Sequence, residues 1–194
     1  YNLLRKFKSK LLIIDKYRTK NTKYLNKIKL NFKKIIFLDA IKHEHKDALY
    51  INSLLQNVDK KKIKYVGFKY VICPSFLKQE KQIYNKKIKK IFLFFGGFDY
   101  KNIMKKVMKY FIDNNLNYIL YLPAIYKKNL YKNKRIVYFD DKDIYKTLSL
   151  CDLAITAGGL IMFDVLNLKK PLITIPQYLH QKENIKKLVK KKCL

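Results

Sequence analysis

The hydrophobic pattern of the chain consists of short, continuous apolar runs separated by longer amphipathic stretches. Runs that are apolar on both faces are typical of strands in a parallel sheet that helices cover on both sides. The pattern predicts these strands: Leu11–Ile14, Ile35–Leu38, Ala48–Leu55, Ile91–Phe95, Tyr118–Leu122, Ile136–Phe139, Leu153–Thr156 and Leu172–Ile175.

Several of the intervening stretches have helical spacing. Ile103, Val107, Tyr110 and Phe111 recur at positions i, i+4, i+7 and i+8, and Asn114 follows them as a stop signal. The spacing predicts helices over Asn102–Asn114, Asp143–Leu150, Leu160–Leu168 and Lys182–Lys191. Strands that alternate with helices indicate an α/β fold with right-handed crossovers.

A polar, lysine-rich stretch, Lys78–Lys90, divides the chain and is predicted to be a linker. Residues 1–77 hold too few strands for a complete doubly wound domain, so we expect them to form the second half of one Rossmann-like domain. Residues 91–194 hold five predicted strands in an orderly β/α alternation and are predicted to form a second such domain.

The charge of the chain is strongly positive. Its 194 residues include 44 lysines and arginines against 14 acidic residues, a formal net charge of +30. The 49% apolar content excludes a disordered polybasic tail. The arginines are Arg5, Arg18 and Arg135 alone, whereas nucleic-acid recognition favours arginine. We therefore interpret the lysines as a compositional bias and predict no nucleic-acid partner, with a lysine-rich anion or nucleic-acid binder kept as an alternative.

The cysteines and histidines form no recognisable metal or disulfide pattern. Cys73, Cys151 and Cys193 lie far apart in a chain without a secretory signal. His43 and His45 lie in a polar stretch that supplies no further zinc ligands. No apolar run approaches the roughly 18 residues of a membrane span. The sequence thus predicts a cytoplasmic protein with no membrane span, no metal and no cofactor.

Two Gly-Gly turns each follow a predicted strand and precede a predicted helix. The first, Gly96-Gly97, lies in Phe94–Asp99, and the second, Gly158-Gly159, ends Cys151–Gly159. Such turns let the backbone approach a phosphate, and a following helix offers unpaired N–H groups. A tight turn that merely needs positive φ is the structural alternative.

Polar side chains follow the second turn and the last strand. Asp164 lies about one and a half helical turns beyond Gly159, where a carboxylate could accept hydrogen bonds from ribose hydroxyls. Gln181 and Asn184 follow the Pro171–Pro176 strand and could share a helix face. The alternatives are a solvated carboxylate on an exposed face and amides that cap a helix.

The order of these segments resembles the C-terminal half of GT-B nucleotide-sugar enzymes. It is most similar to the UDP-sugar hydrolases of pseudaminic acid biosynthesis and their spore-coat-polysaccharide relatives. The wider group includes the MurG glycosyltransferases. Upstream segments add to the resemblance: Asp15–Tyr17, Phe37–Ala40, Asp47–Asn52 and Gly67–Phe76.

The resemblance implies a GT-B fold and release of UDP from a UDP-diacetamido-trideoxy-altropyranose. It implies that Gly96, Gly97, Gly158 and Gly159 hold the diphosphate. The other implied binding residues are Phe139 and Asp140, whose backbone should lie beside the uracil, Asp164 at the ribose, and His180, Gln181 and Asn184 in the final polar segment.

The catalytic group is the weakest part of the resemblance. Asp15 and Tyr17 match a segment that faces the sugar. The family's G-x-G-H-x-x-R turn, which carries the expected general base, is absent, so the resemblance implies an N-terminally truncated and inactive chain. A glycosyltransferase with the same UDP-sugar pocket remains the alternative function.

Overall fold

The computed structural model describes residues 9–15, 32–40, 48–54, 65–74, 87–129 and 133–190. The chain divides into two compact units, Tyr1–Ile72 and Cys73–Leu194. Both are α/β, and every strand pair in the described residues is parallel. Most of the predicted linker, residues 78–86, lies outside the described residues, as do Tyr17, His43, His45 and Asp47.

The first unit contains a sheet in which the strands follow their order along the chain. The strands are β1 (Leu11–Asp15), β2 (Lys34–Leu38), β3 (Leu49–Asn52) and β4 (Tyr65–Val66). Its core is built around Phe37 and Tyr50, whose rings stack with their centroids 5.1 Å apart. The two-residue strand β4 was not predicted from the sequence, since it is too short to carry a hydrophobic pattern.

The third strand is shorter than the predicted Ala48–Leu55. It ends at Asn52 because the next two residues turn toward the end of β2. The Asp39 carboxylate accepts hydrogen bonds from the N–H groups of Ser53 and Leu54, at 2.8 and 3.0 Å, and from the Ser53 hydroxyl. Asp39 itself has a φ of +49°, so this corner of the sheet is held in a strained conformation by polar contacts.

The second unit contains a five-stranded sheet between two layers of helix. Its strands are β5 (Lys90–Phe94), β6 (Ile119–Pro123), β7 (Ile136–Phe139), β8 (Leu153–Thr156) and β9 (Leu172–Thr174). Its α-helices are α1 (Ile103–Asp113), α2 (Ile144–Leu150), α3 (Leu160–Asn167) and α4 (Leu179–Lys190). The predicted elements of this unit are confirmed, with ends that differ by up to three residues.

Both faces of this sheet are apolar because helices cover both. Leu93 and Phe95 lie in a core that includes Met104 and Met108 of α1. Phe92 faces the opposite core, which includes residues of α2 and α3. Neighbouring positions of β5 are therefore buried on opposite sides, which explains why the strand reads as a continuous apolar run.

The strand order of the second unit is β7-β6-β5-β8-β9. The chain therefore first extends the sheet from β5 to β7 and then returns to add β8 on the other side of β5. In open parallel sheets, ligands bind outside the carboxyl ends of the strands at the point where the order reverses. In this unit that point lies between β5 and β8.

Candidate functional site

The two Gly-Gly turns follow the two strands that flank the reversal. Gly96-Gly97 comes directly after β5, and Gly158-Gly159 comes directly after β8. The two strands pair in register from Ile91↔Leu153 to Phe94↔Thr156, and the Ala157 N–H continues the ladder to the Phe94 carbonyl at 3.1 Å. The turns thus begin side by side at the carboxyl edge of the sheet.

The first turn presents open backbone. Gly96 has a φ of +85°, which favours glycine whatever the surroundings. Gly97 is exposed, and a Cβ built on either glycine would meet no other atom within 4 Å. The Tyr126 hydroxyl reaches the Gly96 carbonyl at 3.5 Å, and burial, followed by the Asp99 charge, raises the pKa of this phenol to about 12. A ligand has room to approach the backbone at Gly97.

The helix after this turn does not present the free N-terminus that the sequence suggests. The Asp99 carboxylate accepts hydrogen bonds from the N–H groups of Ile103 and Met104, at 3.0 and 2.7 Å. These donors of α1 are already paired with a negative charge of the chain itself. Any anion at this turn would therefore contact the backbone around Gly97 rather than the first turn of α1.

The second turn has two glycines with different surroundings. A Cβ on Gly158 would lie 2.8 Å from Ile185 Cδ1, 3.0 Å from Gln181 Cβ and 3.1 Å from the Gln181 carbonyl. Gly158 is therefore required by the close approach of α4. For a Cβ on Gly159, the nearest atom would be Gln181 Nε2, at 3.9 Å. Gly159 is also the N-cap of α3, and no side chain caps this helix end with a hydrogen bond.

A buried glutamine, Gln177, ties the loops around the reversal together. Its side chain donates to the Phe95 carbonyl at 2.6 Å and accepts from the Lys101 N–H at 3.4 Å. Its own N–H donates to Gln181 Oε1 at 2.8 Å. Gln181 thus helps to cap α4, as the structural alternative proposed, and it also lies against the second glycine turn.

Asn184 is fully buried on the same helix face as Gln181. Within the described residues, neither its amide oxygen nor its amide nitrogen has a hydrogen-bond partner. A buried amide without partners is costly, and an ordered water is one group that can supply the missing hydrogen bonds. Asn184 therefore offers one donor and one acceptor face on the helix that packs against the second glycine turn.

Asp164 is 6% exposed, so the alternative of a solvated carboxylate on an exposed face is wrong. The carboxylate accepts side-chain hydrogen bonds from Cys73 and Tyr145. Burial raises its pKa above the ordinary value of 3.8, although these two bonds oppose the shift. Burial and the nearby Asp164 charge also raise the pKa of Tyr145. Asp164 is thus part of an internal polar cluster, and its predicted role at a ribose stays a prediction.

The raised pKa of Asp164 predicts a pH dependence of stability. The folded state holds the proton more tightly than the unfolded state, so the contribution of Asp164 is most favourable below pH 3.8 and declines as pH rises through its folded-state pKa. We expect the free energy of unfolding of the wild type, relative to Asp164→Asn, to fall over this range and then become constant. Urea unfolding of both proteins at successive pH values from 4 to 8 measures the difference. A difference that grows with pH would contradict the assigned direction.

Phe139 and Asp140 lie at the end of β7, an edge strand of the sheet. The Phe139 side chain is buried and stacks on Phe92 with a centroid distance of 5.3 Å, so only its backbone is available to a ligand. Asp140 is exposed, and its carbonyl accepts from the Asp143 N–H at 2.9 Å. The predicted base-binding backbone therefore lies on the β6–β7 side of the reversal.

His180 lies at the start of α4 and belongs to a stack of rings. Its ring is 5.5 Å from that of Tyr178, and Tyr178 is 5.9 Å from Tyr100. Burial lowers the pKa of His180, opposed by the Glu183 charge, and this shift favours the neutral imidazole at pH 7. A neutral imidazole can both donate and accept a hydrogen bond.

Asp15, the described member of the predicted catalytic pair, is the exposed last residue of β1 in the first unit. Its partner in that prediction, Tyr17, lies outside the described residues. Asp39 lies at the carboxyl end of the neighbouring strand β2, and its carboxylate already accepts hydrogen bonds from Ser53 and Leu54. The described part of the first unit thus places two carboxylates at adjacent strand ends, one exposed and one already bonded.

Sequence reasoning missed three features of the site. Gln177 lies 82 positions from its partner Phe95, and the Tyr100–Tyr178 ring pair is separated by a similar distance, so no local pattern indicates either contact. Asp99 could have been found, because an acidic residue just before an apolar helix is a common N-terminal capping signal.

Comparison with protein-family models gives no match, and comparison with curated proteins gives none either. Among the described residues, no helix is both long and apolar enough to cross a membrane. No group of three or more histidine, cysteine or acidic residues in the same residues is arranged to hold a metal ion.

Proposed function

We propose that the second unit binds the UDP part of a UDP-sugar at the reversal of its strand order, and that the protein to which it belongs is a UDP-sugar hydrolase of GT-B type. The observation that carries the proposal is the position of the two Gly-Gly turns. They follow β5 and β8, the strands between which the order reverses. This is where an open parallel sheet binds nucleotides.

The diphosphate would lie against the backbone at Gly97 and Gly159. A Cβ on Gly97 would meet no atom within 4 Å and one on Gly159 would make only an ordinary contact with Gln181 Nε2, at 3.9 Å, whereas the chain itself fills that space at Gly158. The uncapped N-terminus of α3 begins at Gly159 and places the positive end of a helix dipole at the same point. Backbone donors fixed before the ligand arrives stabilise the negative charge that develops on the departing UDP.

The remaining polar groups would fix the rest of the nucleotide. The Asn184 amide has an unused donor and acceptor but is fully buried, so it would reach the nucleotide through a bound water rather than directly. Asp140, which is exposed and follows β7, would present its backbone to the base. The net charge of +30 would draw a di-anionic ligand toward the chain without forming part of the site.

Hydrolysis requires a base-activated water at the anomeric carbon, and the described residues of this unit supply binding groups for the leaving nucleotide. Transfer of the sugar to an alcohol would use the same nucleotide pocket. UDP release from a UDP-sugar without any acceptor separates the two reactions, since only hydrolysis produces UDP under that condition.

Gly97→Ala tests the phosphate contact directly. We expect at least a tenfold loss of UDP affinity, because a Cβ would stand where the phosphate approaches and one charge-assisted backbone bond is worth about 1.5–3 kcal/mol. The thermal midpoint should stay unchanged, since no atom of the chain lies within 4 Å of that Cβ. Isothermal titration calorimetry with UDP measures the affinity.

The matched control is Asn117→Ala, an exposed residue just before β6 and therefore at the opposite edge of the sheet. It should bind UDP as the wild type does. Equal UDP affinity of the wild type and Gly97→Ala, or no UDP binding by the wild type, would overturn the proposed function.

A further inference from the structure

A stack of three rings joins the loops that follow β5 and β9 to the first turn of α4. Tyr178 is central: its ring lies 5.9 Å from that of Tyr100 at an angle of 19°, and 5.5 Å from that of His180 at 6°. The three planes are therefore nearly parallel. Parallel rings at these distances form a continuous aromatic surface to which a further flat group can be added.

The two loops that carry the stack are held in position by Gln177. This residue is 2% exposed and precedes Tyr178 directly. Its amide accepts from the N–H of Lys101, the neighbour of Tyr100, and donates to the Phe95 carbonyl at the end of β5. The buried amide thus fixes the backbone beside both tyrosines, so the ring pair is set by the fold and needs no ligand to form.

The outer end of the stack is open. Tyr100 is 61% exposed, and among the described residues its ring contacts that of Tyr178 and no other. Phe98, in the loop after β5, and Leu179, the first residue of α4, are 74% and 73% exposed. Large apolar side chains gathered at the edge of a candidate site indicate a surface that a ligand covers.

The strand order indicates which part of a bound nucleotide-sugar would contact the ring stack. The candidate diphosphate position lies between β5 and β8, and the backbone proposed for the base lies at the end of β7. The stack spans the reversal, because Tyr100 lies in the loop after β5 and Tyr178 in the loop after β9. A nucleotide-sugar that extends from β7 across the reversal would bring its sugar toward the loop after β9, and thus toward the ring that packs on Tyr178.

We propose that the outer face of Tyr100 is the stacking surface for the sugar ring of the bound nucleotide-sugar. The proposal rests on the proposed function. A pyranose with deoxy or N-acetyl positions has a face of C–H groups, and an aromatic ring covers such a face without requiring hydrogen bonds from it. Tyr178 packs against the Tyr100 ring and His180 against that of Tyr178, and the exposed Phe98 and Leu179 supply further apolar surface.

The test compares UDP with UDP-N-acetylglucosamine by calorimetry in the wild type, Tyr100→Ala and Tyr100→Phe. We expect Tyr100→Ala to weaken the binding of the UDP-sugar about fivefold and to leave the Kd for UDP within twofold. Tyr100→Phe keeps the ring and should bind both ligands as the wild type does. Because Tyr100 is exposed, the substitutions should not affect folding, which thermal unfolding verifies.

The other outcomes are distinguishable. If Tyr100→Ala loses the same affinity for UDP and for the UDP-sugar, the nucleotide itself lies on the stack. If it loses affinity for neither, the ring has no ligand role. Either result overturns the sugar assignment but leaves UDP binding intact. A wild type that binds neither compound overturns this assignment together with the proposed function. If calorimetry with oligothymidylate as a third ligand shows that Tyr100→Ala loses affinity for oligothymidylate alone, the stack is assigned to single-stranded nucleic acid and the sugar assignment is overturned.

Discussion

Replacing Gln177 with leucine is expected to lower the free energy of unfolding by about 2–3 kcal/mol, because a buried polar group left without its partner costs about 1–3 kcal/mol. The side chain is 2% exposed and donates to the Phe95 carbonyl at 2.6 Å, and it accepts from the Lys101 N–H. Leucine has a similar volume but offers neither group. The Phe95 carbonyl at the end of β5 would lose its partner inside the protein. Urea unfolding followed by circular dichroism measures the change.

Gln177→Glu separates the two hydrogen bonds of this side chain. A carboxylate still accepts from the Lys101 N–H but cannot donate to the Phe95 carbonyl, and it places negative charge against that oxygen. We expect Gln177→Glu to be destabilised at pH 7 and to recover part of the loss at pH 4, where the protonated acid can donate again. Wild-type stability in both variants would show that the Gln177 amide does not join these loops.

The elements of the second unit were predictable because each one satisfies a local rule. A strand covered on both faces reads as a continuous apolar run, as in Lys90–Phe94, and α1 places Ile103, Val107 and Phe111 on one face at helical spacing. These signals depend on neighbours within one or two turns of chain. The strand order depends on contacts between distant residues, and the sequence therefore predicted a parallel sheet without its order.

The meaning of the glycine turns could not be decided from the sequence for the same reason. A glycine that admits a phosphate and a glycine that admits a neighbouring helix look identical as residue types. A Cβ on Gly97 would meet open space, whereas a Cβ on Gly158 would contact Ile185 and Gln181 of α4. These two residues lie more than 20 positions further along the chain than Gly158. Asp164 illustrates the same limit, because its partners Cys73 and Tyr145 come from separate segments.

Gly158→Ala is expected to lower the free energy of unfolding by about 1–3 kcal/mol, the usual cost of inserting a methyl group into a packed interior. The new Cβ would lie 2.8 Å from Ile185 Cδ1 and 3.1 Å from the Gln181 carbonyl. The first contact can be relieved by a side-chain rotation, but the second requires helix α4 to move away from the turn. Gly97→Ala is the matched control, with an expected change within about 0.5 kcal/mol, since its Cβ meets open space.

A double-mutant cycle between Gly158→Ala and Ile185→Ala isolates the part of this cost that comes from the Ile185 side chain. Removal of Cδ1 should make Gly158→Ala less destabilising in the Ile185→Ala background, a favourable coupling of at least about 0.5 kcal/mol. The destabilisation by Gly158→Ala that persists in the Ile185→Ala background measures the contact with the α4 backbone. Additive effects together with a tolerated Gly158→Ala would mean that α4 does not pack on this turn, and Gly158 would then be as open to a phosphate as Gly97. A large, partly coupled cost instead leaves Gly97 and Gly159 as the glycines at which the proposed diphosphate would contact the backbone.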